Sequence, residues 1–92
     1  MSFSDNDFYA WRDTLLDNRP LWRVKPAVSI GAVVHVNPDL TSPRVGLMRA
    51  SDKPFRGEIV QGGFVNLAGF GSGNVWVRCG AGCIWANLLE RL

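Results

Sequence analysis

The chain has 92 residues, 47% of them hydrophobic and 20% charged, which is enough for one small globular domain and too apolar for disorder. No apolar run approaches the roughly 20 residues that span a bilayer, and the N-terminus lacks the basic start and apolar centre of a secretory signal, so a cytoplasmic protein is expected. The net charge of +2 hides an asymmetry: Asp5, Asp7, Asp13 and Asp17 against Arg12 give residues 1–18 a net −3, and residues 19–92 carry +5.

Ser4 and Asp7 make an N-cap pair, and Phe8, Trp11, Leu15 and Leu16 follow at helical spacing. A helix is therefore expected over about 5–17, ended by Asn18 and Pro20, with its aromatic face packed in the core. Leu21 to Lys25 reads as a short strand, and the prolines at both borders place it at a sheet edge. Trp22 there is expected to be buried, with Arg23 and Lys25 reaching outward.

Ala27 to Val36 alternates, with Val28, Ile30, Ala32, Val34 and Val36 on one parity. Its β-branched density favours a strand, and it is taken as the central one. Asn37 to Pro43 is a loop by composition. Arg44–Ala50 and Phe55–Gln61 are two further strands, joined by the turn residues Ser51–Pro54 into a hairpin. Phe64 to Leu67 is a short strand among glycines. Gly69 to Gly73 looks superficially like a phosphate loop, but it lacks the lysine and leads into a strand. Val75–Cys79 and Cys83–Asn87 form a hairpin around a glycine-bearing loop. The ending LLERL reads as strand. A helix from near Cys83 is the alternative, because Ile84, Leu88 and Leu92 are spaced by four.

The expected fold is α+β over a single compact domain, 1–92. An N-terminal α-helix packs on an antiparallel β-sheet of about five strands, within a β-rich body over about 21–92.

No spacing names a reaction. Cys79, Cys83 and His35 offer three metal ligands where structural zinc wants four. Three residues separate the cysteines, where a redox pair has two. A tight hairpin brings two sulfurs within bonding reach, whereas a cytoplasmic setting favours free thiols. His35, the sole histidine, reads as structural, and the carboxylates form no acid–base pair. The expectation is a protein that is not an enzyme and needs no cofactor, metal, membrane or small-molecule substrate.

Charge points to the candidate contacts. Arg49, Lys53 and Arg56 lie nearest the turn of the expected hairpin, and Arg44 begins it. Arg23, Lys25 and Arg78 are the next cations.

In size and make-up the chain resembles phage-encoded anti-CRISPR proteins, in particular the small inhibitors of type I-F surveillance complexes. The stretches that carry the resemblance are LWRVK, RVGLMRASDKPFRGE and NVWVRCGAGC, basic and aromatic on a β scaffold. The resemblance implies a partner made of Cas protein subunits and guide RNA, in a bacterial host cell, and a block on target DNA binding. Two other readings stand beside it: a β module for RNA or single-stranded nucleic acid, and a self-assembling phage structural protein.

Overall fold

The computed structural model describes residues 18–92, and the helix expected over 5–17, with Phe8 and Trp11, lies outside them. The described residues form eight strands: β1 (Leu21–Val24), β2 (Ala32–His35), β3 (Arg44–Met48), β4 (Phe55–Arg56), β5 (Glu58–Leu67), β6 (Gly71–Cys79), β7 (Gly82–Trp85) and β8 (Leu89–Arg91). One 3-10 turn, Ala86–Leu88, separates β7 from β8.

The α+β expectation is corrected on two counts. There is no α-helix among the described residues, whose regular elements are all strands apart from that turn. The strands also make two antiparallel sheets, ordered β4-β1-β8 and β3-β2-β7-β6-β5, where one sheet of about five was expected.

The two sheets share continuous chain at two corners. Gly57 alone separates β4 from β5. A Cβ there would meet Val77 Cγ1 at 2.6 Å and the Arg78 carbonyl oxygen at 2.8 Å, so only glycine lets the strand turn from one sheet into the other. The Gly57 N–H donates to the Pro20 carbonyl at 3.1 Å, and its own carbonyl accepts the Trp22 indole N–H at 3.0 Å. At the other corner the 3-10 turn carries the chain from β7 across to β8, which pairs with β1 through Val24–Leu89 and Arg23–Glu90. Leu21–Val24 is therefore the middle strand of its sheet, not an edge.

The expected hairpin of residues 44–61 does not form. β3 folds back on β2, β4 pairs with β1, and β5 pairs with β6. Phe64–Leu67 is the far half of β5 rather than a separate strand. Residues 25–31 are turns, with Val28 N–H on the Lys25 carbonyl and Gly31 N–H on the Val28 carbonyl, so the strand expected over 27–36 shrinks to β2 and sits next to the edge. The alternation still holds inside β2, where Ala32 and Val34 are buried, and it fails in the turn, where Ile30 is 82% exposed.

The larger sheet carries apolar side chains on both faces, as strands covered on both sides do. On one face Ala32, Val34, Val77 and Ile84 pack against Trp22, Val24 and Leu89 of the smaller sheet. On the other face Trp76, Trp85, Cys83 and Val65 form a second cluster. Neighbours in β7 alternate between the clusters, Cys83 and Trp85 in one and Ile84 in the other, as the period of two requires.

A groove over the tryptophan face

The β2–β3 loop closes the second face. Its backbone is held by internal bonds: Val36 N–H to the Pro43 carbonyl at 3.0 Å, Asn37 N–H to Ser42 Oγ at 2.8 Å, and Ser42 N–H to the Asp39 carbonyl at 3.1 Å. Asp39 Oδ1 accepts from both the N–H and the hydroxyl of Thr41, at 2.9 and 3.0 Å. Those two bonds, the backbone one first, hold the Asp39 carboxyl below its ordinary range; burial opposes them, and charge on nearby His35 adds to them.

The loop then reaches over to β5, at the far edge of the sheet, where the Gly63 N–H donates to the Pro38 carbonyl at 2.8 Å. The register of β5 on β6 shifts between Gln61 and Val65, around Gly62 and Gly63. Beneath this bend the Trp76 indole N–H donates to the Gly63 carbonyl at 2.9 Å. Trp85 is tied in the same way to the Gly73 carbonyl, at 3.2 Å.

These closures leave a groove of about 640 Å³. Trp76, Trp85 and Val65 are buried in its floor, and the exposed side chains Ile30, Leu40 and Leu67 stand around it. The size and apolar lining are those of a ligand or docking cleft.

Four polar side chains, Ser29, His35, Arg44 and Asn66, interrupt the apolar wall. His35 ends β2 and is 3% exposed. Its Nδ1 lies 2.9 Å from the Ser42 carbonyl, and its ring meets Trp76 edge-on at 5.8 Å. A carbonyl only accepts, so in the neutral ring Nδ1 carries the hydrogen and Nε2 presents a lone pair. Nε2 has no hydrogen-bond partner, and no buried side-chain nitrogen or oxygen among the described residues is sealed away without one, so Nε2 keeps contact with solvent, and His35 lines the groove. The structural role expected for His35 is present at Nδ1, but the second nitrogen is free.

Arg44 is the charged side chain among the four. The register of β2 on β3 jumps from Val34–Gly46 to His35–Arg44, which leaves Val45 as an extra residue. That bulge resets the alternation of β3 and brings Arg44 to the side of His35, where both line the groove.

The other expected contact residues are dispersed. Arg49 begins the turn after β3, and its N–H donates to Asp52 Oδ2 at 2.8 Å. Lys53 is exposed beyond that turn. Arg56 is on β4 in the smaller sheet, with its guanidinium on the Arg19 carbonyl at 2.8 Å. Arg23 is bonded to Glu90 at 2.8 Å. Lys25 is half-buried, with its N–H on the Leu88 carbonyl at 3.0 Å. Arg78 is opposite Glu58 on β5 and Cys83 on β7. Of the seven, Arg44 alone lines the groove. The cysteines are separated too: Cys79 packs with the first cluster and Cys83 with the second, on opposite faces of the sheet.

Sequence reasoning named Arg44 but missed the apolar residues of the groove. The available signal was Leu40, a large apolar side chain within a loop segment, where burial in a core is not its natural use. Among the described residues no three metal-ligating side chains come together, and no helix is long and apolar enough to cross a membrane. Comparison of the chain with protein-family models, with curated proteins and with solved structures returns no match.

Proposed function

We propose that this is a non-enzymatic binding protein that acts by seating an apolar segment of a protein partner in the groove over Trp76 and Trp85. The observation that carries the reading is the ring of exposed Ile30, Leu40 and Leu67 around a concave apolar floor. Exposed large apolar side chains gathered at one concavity mark interaction sites, whereas single ones scattered on a surface do not. The dispersal of Arg23, Lys25, Arg56 and Arg78 favours a protein contact over a continuous basic track for RNA.

The anti-CRISPR resemblance supplies the partner: a Cas subunit of a type I-F surveillance complex, engaged so that target DNA no longer binds. Arg49 and Lys53, exposed at the turn after β3, would then be the cations that meet guide RNA. Such a complex is cytoplasmic, so the protein acts in the cytoplasm of the bacterial host.

The test uses a purified type I-F complex, immobilised through its guide RNA. The expected result is capture of this protein, loss of target-DNA binding, and failure of both with the double variant Ile30→Asp/Leu40→Asp. Both side chains are exposed, so the variant should melt as the parent does. Binding to bare RNA with a steep salt dependence would replace this reading with the RNA module. Self-association without capture would replace it with the structural protein.

A further inference from the structure

We infer that the groove is built to receive an aromatic side chain that carries an N–H or O–H and has a carboxylate beside it, a tryptophan or tyrosine next to an acidic residue on the partner segment. The inference rests on the groove being the working site, and it adds what the occupant must offer.

Three features of the structure set that chemistry. The floor is aromatic: Trp76 and Trp85 are cross-strand partners on one face of the sheet, and Phe70 and Leu88 flank them. A planar ring buries well against such a surface and gains from edge contacts. The second feature is the free nitrogen of His35. The Ser42 carbonyl fixes the hydrogen on Nδ1, so Nε2 is an acceptor in a mostly apolar wall whose other polar side chains are Ser29, Arg44 and Asn66. An apolar occupant would strip water from that lone pair and leave it unsatisfied, whereas an indole N–H or a phenol O–H would satisfy it.

The third feature is Arg44, brought beside His35 by the bulge at Val45. It is the one charged residue in the wall of the groove. A guanidinium at the rim of an apolar cleft selects a carboxylate through paired N–H donors. Asp39, a carboxylate of the β2–β3 loop, is engaged within that loop. Its Oδ1 already holds the N–H and the hydroxyl of Thr41, and it belongs to the loop's own turn. Cys83, opposite His35 on β7, points its sulfur toward the Val36 carbonyl at 3.8 Å. The two polar groups therefore stand together over an aromatic floor, and a bare aliphatic segment would leave both unmet.

The probe is 3-indolepropionate, which joins an indole N–H to a carboxylate. It is titrated into nitrogen-15-labelled protein at a pH well above histidine's ordinary value of about 6.5. The companions are its N-methyl derivative, its neutral amide, and 3-phenylpropionate. The expected result is movement of the Trp76 and Trp85 indole signals with 3-indolepropionate. N-methylation and amidation should each weaken binding by about tenfold, the scale of one lost hydrogen bond in a shielded site. Arg44→Gln should abolish the difference between acid and amide, and His35→Phe should abolish the difference between indole and N-methylindole. If His35→Phe does not fold, the ligand series on the parent protein and on Arg44→Gln decides alone. Equal binding of all four compounds at the tryptophans would overturn this inference and leave the groove as the docking site. No movement of either tryptophan would also overturn it, and capture of the surveillance complex then judges the docking site separately.

Discussion

Gly62 lies directly over Trp76, with no room between them for a side chain. A Cβ at Gly62 would come within 2.7 Å of Trp76 Cδ1 and of Pro38 Cβ, and still closer to the Pro38 carbonyl oxygen. This is where the β2–β3 loop crosses to β5 and the groove closes. The obstacles include backbone, so relief requires the loop or β5 to shift. Gly62→Ala is expected to cost about 1–3 kcal/mol, the range for overpacking a tight site. Gly46→Ala is the control, because a Cβ there meets nothing within 4 Å. Urea melts of the two variants should differ in midpoint. Equal midpoints would show that the loop is not seated on β5.

Acid should act first on the β2–β3 loop. Thr41 holds the Asp39 carboxyl below its ordinary value of 3.8. A carboxyl depressed in the folded state adds stability above its unfolded value, and that addition is lost as pH falls through the lower folded value. The loop is therefore expected to loosen only below about pH 3.8, while Asp39→Asn should show no such step. Amide signals of Thr41 and Ser42, followed through an acid titration, check this. A step that persists in Asp39→Asn would assign it to another group.

The strength of the Arg23–Glu90 pair should be small despite its 2.8 Å contact. Both side chains are more than a third exposed, so water and salt screen the charges and side-chain ordering offsets the rest. A double-mutant cycle with Arg23→Ala and Glu90→Ala is expected to give a coupling of about 0.2–1 kcal/mol that fades in high salt. A coupling several times larger would mean that the pair organises the β1–β8 seam.

Local signals in the sequence located strands well and pairing poorly. Pro20 and Pro26 bracket β1, the Gly80–Gly82 loop announces β6 and β7, and the alternation of Ala32 and Val34 marks the buried face of β2. Pairing depends on what happens at Gly57. The turn residues Ser51–Pro54 look like the tip of a hairpin, but the strand that follows changes sheet within one residue, because its middle must pass under Val77 and Arg78. Nothing within a short window of sequence contains that contact. The groove was hidden for the same reason. Ile30 fits the strand alternation on paper, and only the turn at 25–31 turns it outward. The bulge that could bring Arg44 into register was conceivable from the parity of Arg44 and Arg49, but its pairing with His35 on β2 was not.

The last prediction separates the cations by where they sit. Arg49 and Lys53 flank the turn after β3, and Arg56 is on the smaller sheet, whereas Arg44 lines the groove beside His35. Charges at a rim chiefly speed encounter, and a charge desolvated inside a contact chiefly slows release. The triple variant Arg49→Glu/Lys53→Glu/Arg56→Glu should therefore bind the surveillance complex more slowly, with a flatter salt dependence and a nearly unchanged dissociation rate. Arg44→Glu should associate at close to the parent rate and dissociate about tenfold faster or more, since it opposes the partner's carboxylate at short range. Arg56 also holds the Arg19 carbonyl, so the triple variant is compared with Arg49→Glu/Lys53→Glu to remove any effect on the smaller sheet. Association and dissociation rates on immobilised complex, at two salt concentrations, give all four numbers for each variant. If the triple variant alone abolishes binding while Arg44→Glu binds as the parent does, the working surface is the basic turn over 49–56. The groove would then serve only the stability of the β2–β3 loop.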